Sequence, residues 1–339
     1  MIVTTVTVRV PAKINLQLAV GPLRADGYHH LVTVFHAISL FDEVTVEAAA
    51  ADSVTVTGEG ADQVPADRDN LALRAVRALR DALGAGVGGS DILASPSDPP
   101  RGVRGPGGMG DGSPPCGKPA PPGDNRVAVA IRKRIPVAGG MAGGSADAAA
   151  ALVACNELWQ AGLSVRELCE VAGEVGSDVA FAVLGGTAVG RGRGEQLTSA
   201  LVAPVAYHWV LAYADGHLST PAVYGALDRL RQGRNVPEPE LSAELMAALR
   251  SGAPELLGAA LSNDLQVPAV SMFPALRKTL AAGIEFGALG GLVSGSGPTC
   301  FFLAGSAGQA TDLAVALSGA GVCRSVATAT GAAAGASVI

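Results

Sequence analysis

The pattern of apolar and polar residues predicts strands and helices in mixed order. Apolar and polar residues alternate over 5–10 and 53–57, a pattern that is typical of half-buried strands. Residues 70–83 carry apolar side chains at helical spacing, with Asp69 or Asn70 in the capping position. Further strands are expected at 16–20, 31–39, 43–46, 127–131, 187–190, 206–214, 288–293, 299–303 and 324–328. Further helices are expected at 146–159, 164–175, 177–183, 221–230, 242–250, 254–261, 274–282 and 307–318.

The order of these elements favours an α+β fold over a doubly wound sheet, because strands and helices do not alternate strictly. A length of 339 residues corresponds to two domains or to one large domain. Residues 84–123 hold 12 glycines and 9 prolines, so they cannot bury enough apolar surface to offset their ordering entropy. We expect a disordered insertion there, and a frayed tail at 331–339.

The charge balance argues against partners that are bound through bulk positive charge. Lys and Arg number 24 against 30 Asp and Glu, which gives a net charge of −6 and disfavours a nucleic acid or an anionic membrane. Five scattered cysteines without C-x-x-C spacing are typical of reduced thiols in a cytoplasmic protein. We expect neither a signal peptide nor a membrane span, because the sequence shows neither pattern.

The most informative segment is a glycine-rich loop at 136–145 (PVAGGMAGGS), between a predicted strand and an Ala-rich predicted helix. Glycine lets the backbone approach a ligand, and the N–H groups at a helix start favour phosphate. A lone loop of this kind is as often a structural turn, but here strand, loop and helix all fit. The Ser145 hydroxyl can bond a phosphate oxygen or Mg²⁺. No lysine precedes Ser145 as in a Walker A motif, so a cation facing phosphate has to come from elsewhere.

Two segments near the start of the chain carry further polar side chains. Lys13 and Asn15 share one face of the extended chain after the first strand, although a solvated lysine is the commoner case. In residues 24–31 (RADGYHHL), Tyr28 and His29 follow a predicted turn. An aromatic ring beside imidazoles suits a planar base or a sugar, and ordinary turn packing explains these residues equally well.

Two later segments are weaker signals. Asp178 in 176–181 (GSDVAF) lies at a predicted helix start, where a capping aspartate is the ordinary interpretation and a buried general base the sharper one. Residues 294–299 (SGSGPT) form a second glycine-rich turn between predicted strands.

Taken together, the segments resemble the GHMP small-molecule kinases, the family of galactokinase, homoserine, mevalonate and phosphomevalonate kinases. Three family motifs occur in order, PAKINL at 11–16, PVAGGMAGGSADAA at 136–149 and SGSGPT at 294–299. The segments RADGYHHL, DNLALRA at 69–75, GSDVAF and SNDL at 262–265 are similar to the members that act on a cytidine-diphosphate-linked tetrol. The resemblance covers nearly the whole chain.

The resemblance implies a two-domain α+β fold with its site in the cleft between the domains. We expect a ribosomal-S5-domain-2-like N-terminal domain at 1–200, a ferredoxin-like C-terminal domain at 201–330 and a tail. The implied reaction moves the γ-phosphoryl group of ATP, with Mg²⁺, to the 2-hydroxyl of 4-diphosphocytidyl-2-C-methyl-D-erythritol. That step belongs to non-mevalonate isoprenoid precursor biosynthesis.

The resemblance also implies roles for individual residues. Asp178 falls on the catalytic aspartate of the family and Lys13 on its catalytic lysine. Tyr28 and Tyr224 would stack on the two faces of cytosine, with His29 on its edge. Substrate contacts are also implied for Asn15, Gly295 and Gly297. ATP contacts are implied for Asn70, Pro136, Gly139, Gly140, Met141, Ala142, Gly143, Gly144 and Ser145.

Two alternatives stay open at this point. Another GHMP kinase would act on a different alcohol, and it would leave Tyr28, His29 and Tyr224 without an evident task. A catalytically silent nucleotide-binding protein would not need both Lys13 and Asp178. The sequence departs from the family at Met141 and Ala146, where Leu and Ser are frequent, and no carboxylate cluster identifies a Mg²⁺ ligand. Because Ala146 has no hydroxyl group, Ser145 is the residue of this motif that is expected to supply one to a phosphate or to Mg²⁺.

Overall fold

The strands of the protein form one mixed sheet in the computed structural model, which describes residues 4–84 and 125–339. The predicted insertion at 84–123 lies outside these ranges, apart from Gly84. Within the described ranges, no helix combines the length and the apolar character needed to cross a membrane. The strands are β1 (Thr5–Leu23), β2 (His29–Ala48), β3 (Ser53–Gly58), β4 (Val127–Lys133), β5 (Thr187–Gly192), β6 (Gln196–Ser199), β7 (Tyr207–Tyr213), β8 (Ser262–Asn263), β9 (Gly290–Val293), β10 (Cys300–Ala304), β11 (Ser325–Gly331) and β12 (Ser337–Val338).

Helices pack against this sheet and supply most of the remaining core. They are α1 (Leu71–Gly84), α2 (Gly143–Leu158), α3 (Val165–Val175), α4 (Ser177–Leu184), α5 (Thr220–Arg231), α6 (Ala243–Ser251), α7 (Pro254–Ala260), α8 (Gln266–Met272), α9 (Ala275–Glu285) and α10 (Ala307–Gly319). The predicted capping box of α3 is confirmed, because Ser164 and Glu167 exchange both hydrogen bonds. Helix α2 begins at Gly143, three residues before the expected start.

The order of strands along the sheet is β12-β1-β2-β11-β7-β10-β9, and β4 and β5 also pair with β2. Strand β1 continues through Pro11, so the segments predicted at 5–10 and 16–20 form one strand, with a register shift between Pro11 and Ala12. Proline lacks an N–H group, so it is accommodated where the ladder is irregular. The segments predicted separately at 31–39 and 43–46 form the single strand β2.

The expectation of a frayed tail at 331–339 is wrong. Val338 pairs with Val8 of β1, and the Ile339 N–H donates to the Thr7 carbonyl at 3.0 Å. Ala334 also forms a bridge with Gly185. The tail is ordered because it supplies the hydrogen-bond partners that the edge of β1 would otherwise lack.

One large apolar cluster joins the two halves of the chain. It includes Leu73 of α1 and Leu152 of α2 together with Trp209, Leu249 and Phe301 from the second half. A second cluster lies between the sheet and the helices α5, α8, α9 and α10. The predicted boundary after residue 200 falls in the loop between β6 and β7 and stays a prediction. The two halves of the chain therefore share one apolar core.

Candidate active site

Lys13 and Asp178 come together in a cleft between the two glycine-rich segments. The Lys13 Nζ lies 3.9 Å from Asp178 Oδ2 and donates to Asn15 Oδ1 at 2.8 Å. The Asn15 amide donates in turn to Thr33 Oγ1 at 2.8 Å. Lys13 and Asn15 are buried, whereas the Asp178 side chain is 35% exposed. The network therefore fixes the ammonium group and leaves the carboxylate accessible from the cleft.

Three residues of the loop between β4 and α2 have left-handed backbone conformations. Ala138, Gly140 and Ala142 have φ of 53°, 76° and 59°, and the residues between them do not. Alternation of this kind directs successive N–H groups into an anion-binding concavity. Since α2 begins at Gly143, the N–H groups of Gly143, Gly144 and Ser145 belong to its first turn, and these three residues line the same cleft. The backbone geometry of the loop therefore suits an anion such as phosphate.

The turn at 294–297 closes against this phosphate loop. A Cβ atom added to Gly140 would lie 2.1 Å from the Ser294 carbonyl oxygen, and the Ser294 hydroxyl donates to the Gly140 carbonyl at 2.9 Å. A Cβ atom on Gly295 would lie 3.5 Å from Lys13 Nζ. The two turns can meet beside Lys13 only because neither has a side chain at these points.

The cleft has a volume of about 600 Å³. Its walls contain most of the predicted site residues, namely Lys13, Asn15, Gly139, Gly140, Ala142, Gly143, Gly144, Ser145, Asp178, Tyr224, Gly295 and Gly297. Their functional roles stay predictions, but the fold brings them to one place.

A second space adjoins the cleft and is lined by Tyr28, His29, Tyr224 and Asp228; we call it the aromatic recess. Its volume is about 730 Å³. The rings of His29 and Tyr224 stack with centroids 5.2 Å apart. Tyr28 is exposed, and the Arg193 guanidinium lies 5.2 Å from its ring centroid. Burial and the nearby charge of Asp178 raise the pKa of the Tyr224 hydroxyl, so Tyr224 stays neutral.

Three predicted ATP-binding residues lie apart from the cleft walls. Asn70 caps α1, since its Oδ1 accepts from the Ala72 N–H at 2.9 Å and its amide donates to the Pro65 carbonyl. Met141 is buried and its carbonyl accepts from the Lys13 N–H at 3.3 Å. Pro136 lines a smaller cavity on the other side of the loop. Their side chains hold the loop and the helix start in place.

Comparison with known proteins places this geometry in a family. Family models for the N-terminal and C-terminal domains of GHMP kinases match residues 117–186 and 245–323. A 4-diphosphocytidyl-2-C-methyl-D-erythritol kinase of Mycolicibacterium smegmatis is 50% identical over 337 residues, which cover 99% of this chain and 92% of that protein. The chain belongs to the GHMP kinase family. The α+β fold class expected from the sequence is thereby confirmed.

Solved structures agree with this assignment to the GHMP kinases. A crystal structure of a 4-(cytidine 5'-diphospho)-2C-methyl-D-erythritol kinase matches with a TM-score of 0.67 and 30% identity, over 95% of this chain and 98% of that one. A homoserine kinase from Cytophaga hutchinsonii matches with the same TM-score at 17% identity, over 100% and 98% of the two chains. The second likeness concerns the fold alone, so the substrate has to be argued from the site.

Several residues of this GHMP kinase site were not found from the sequence. Arg193 lies between β5 and β6 and lines both the cleft and the aromatic recess. Its glycine neighbours at 192 and 194 are the signal that marks a tight turn there. Thr220 begins α5 and shares a 2.8 Å hydrogen bond with Ser296. Asp228 was overlooked because a carboxylate beside Arg229 is typical of a solvated helix face.

A cluster of buried charged residues contacts the chain at both ends of the phosphate loop of this GHMP kinase. The Lys133 Nζ donates to Asp42 at 2.5 Å and to Asp147 of α2 at 2.7 Å, and all three side chains are buried. Asp42 also accepts from the backbone N–H groups of residues 134 and 135 at the start of the loop. The cluster thus ties both ends of the loop together, and removing one partner would leave a buried charge uncompensated.

The contact between the two turns generates a first prediction, for Gly140→Ala. A left-handed alanine costs about 1–2 kcal/mol, and its Cβ would also push against the Ser294 carbonyl. We expect kcat/KM for ATP to fall at least about tenfold in steady-state kinetics, since 1.4 kcal/mol corresponds to that factor. Gly319→Ala is the control, because no atom lies within 4 Å of its added Cβ. Wild-type ATP kinetics in Gly140→Ala would contradict the proposed contact.

The buried cluster generates a second prediction, for Asp147→Asn. Burial raises the pKa of Asp147 to about 8, Asp42 adds to this effect and Lys133 opposes it. The folded chain keeps this proton up to about pH 8, whereas the unfolded carboxyl loses it near 3.8. The stability contributed by the carboxyl is therefore complete below pH 4 and declines as the pH rises towards 8.

An amide cannot ionise, so the Asp147→Asn variant lacks this decline. Urea unfolding at pH 5, 6, 7 and 8 should show the stability of the variant rising relative to wild type across the series. The exposed Asp312→Asn variant serves as control and should show a constant difference. A constant difference for Asp147→Asn as well would disprove the raised pKa.

Proposed function

We propose that this chain transfers the γ-phosphoryl group of ATP to the 2-hydroxyl of 4-diphosphocytidyl-2-C-methyl-D-erythritol. The observation that carries the proposal is the Lys13–Asp178 pair in the wall of a cleft that adjoins the aromatic recess. Relatives that share half of its residues over nearly the full chain carry that substrate in their names. The reaction belongs to isoprenoid precursor biosynthesis by the non-mevalonate route.

Asp178 is the proposed general base of the transfer. Its carboxylate is accessible from the cleft, so it can accept the proton that leaves the attacking hydroxyl. Lys13 stands 3.9 Å away, so its ammonium group pairs with this carboxylate and also lies near the position proposed for the transferred phosphoryl group. Phosphoryl transfer depends mainly on positioning and charge neutralisation, and this pair supplies both.

The phosphate loop and the first turn of α2 are the proposed site of the ATP phosphates. Mg²⁺ keeps several waters and is usually bound through substrate phosphates and one or two protein oxygens. The described residues contain no cluster of three or more acidic, His or Cys side chains that would hold a metal by themselves. The Ser145 hydroxyl is the candidate protein ligand, and the ion would neutralise phosphate charge there.

The aromatic recess is the proposed site of the cytosine ring. Tyr28, His29 and Tyr224 all line it, so aromatic rings are available to stack on a planar base. Arg193 lines both spaces, so its cation is available to a diphosphate that crosses from the recess to the cleft. A kinase for homoserine or mevalonate would have no ligand group for these rings.

The test of this function is an ATP-consumption assay with three alcohols. We expect turnover with the cytidine-diphosphate-linked tetrol and little turnover with homoserine or mevalonate. The reverse preference would favour another GHMP kinase. Absence of turnover with all three, together with nucleotide binding, would favour a silent nucleotide-binding protein. A cytoplasmic location stays a prediction, supported by the free thiols of Cys155, Cys169, Cys300 and Cys323.

The Asp178→Asn variant tests the assigned base. We expect kcat to fall by about 10²–10⁴-fold, because general base catalysis is lost, while ATP binding measured by calorimetry stays close to wild type. Asp312→Asn is the matched control, since this carboxylate is exposed on α10 and far from the cleft walls. Unchanged turnover in Asp178→Asn would remove Asp178 from the mechanism.

A further inference from the structure

The wall of the aromatic recess contains a histidine, His29, whose ring is hydrogen-bonded to a carboxylate. We propose that Asp228 is a positioning residue that sets the tautomer of His29 and thereby makes this kinase select cytosine over uracil. The inference rests on the proposed function, in which the recess holds a pyrimidine ring. Neither the sequence motifs nor the comparisons assign a role to Asp228.

The geometry holds the His29 ring in one orientation. Its Nε2 lies 2.8 Å from Asp228 Oδ1, and its ring stacks on Tyr224 with an interplanar angle of 30°. Asp228 and Tyr224 are four residues apart on α5, so they share one helix face. The His29 side chain is only 6% exposed, which prevents the ring from turning away.

The chemistry of the pair then fixes the character of the other ring nitrogen. An ionised carboxylate only accepts hydrogen bonds, so Nε2 must carry the hydrogen. In the neutral ring, Nδ1 is therefore an acceptor. Among the described residues Nδ1 has no hydrogen-bond partner, and His29 lines the recess. The recess thus presents a fixed acceptor to its ligand.

A fixed acceptor distinguishes the two pyrimidines at one position. Cytosine carries an amino group at C4, which donates, whereas uracil carries a carbonyl oxygen there, which accepts. An acceptor opposite that position forms a hydrogen bond with the amino group of cytosine. With uracil, two acceptors would face each other and no hydrogen bond would form. Without Asp228 the ring can take the other tautomer, in which Nδ1 carries the hydrogen and would pair with uracil equally well.

The Asp228→Asn variant tests the proposal, because an amide both donates and accepts and so permits either tautomer. Kinetics are measured with the cytidine-diphosphate tetrol and with the matching uridine-diphosphate tetrol. We expect the preference for cytidine in kcat/KM to fall about tenfold or more, the factor for one hydrogen bond. The loss of preference should appear as a change in KM for the tetrol substrates, with KM for ATP and kcat unchanged. Asp228→Glu, which keeps a carboxylate, should restore much of the preference.

The chain offers a matched control in the neighbouring histidine. His30 Nδ1 lies 3.1 Å from Glu238 Oε2, but both side chains are exposed and neither lines the recess. Glu238→Gln makes the same carboxylate-to-amide change and should leave the cytidine preference at the wild-type value. The ¹⁵N NMR shifts of His29 provide a direct readout, because they report which ring nitrogen carries hydrogen in wild type and in Asp228→Asn.

The outcomes separate this inference from the function on which it rests. If wild type turns over neither tetrol, the proposed function fails and the inference with it. If wild type prefers cytidine and Asp228→Asn keeps the full preference, or loses both substrates equally, only the role of Asp228 is overturned. An unchanged His29 tautomer in the variant would also overturn it.

Discussion

The site depends on a single close approach, that of the Gly140 backbone to the Ser294 carbonyl. This contact joins the loop before α2 to the turn before β10, which lie 154 residues apart in sequence. It also brings Gly295 beside Lys13, whose own backbone N–H is bonded to Met141 in the same loop. Phosphate loop, lysine and second turn are therefore one packed unit. Any side chain at position 140 would separate them.

Buried charge stiffens the same unit from inside. Lys133 lies directly under Gly143, where an added Cβ would be 3.1 Å from its Nζ, and it joins β4 to Asp42 of β2 and Asp147 of α2. Loss of one partner would leave a buried charge uncompensated, so the cluster is costly to break. The phosphate loop is thus rigid before any nucleotide arrives, which lowers the ordering cost of binding.

Helices and strands that carry a capping residue or a regular apolar pattern could be predicted from the sequence. Elements that exist only because a neighbouring strand or helix packs against them could not. The capping box of α3 and the alternating strand β4 follow directly from their residues. Strands of two residues such as β8 exist only because β1 lies beside them. Helix α8 was missed because it is short and contains Pro268. In the site, the glycine-rich motifs could be found by pattern, whereas Arg193 and Asp228 gain their positions only through tertiary packing.

The pairing of Val8 with Val338 has a consequence for how the protein acquires its shape. Strand β1 carries Lys13, yet one of its edges is covered by a segment about 330 residues further along the chain. Contacts this distant in sequence form slowly, because the intervening chain has to be closed into a loop. Until residues 337 and 338 have been synthesised, Val8 and Arg9 lack these partners along that edge of β1.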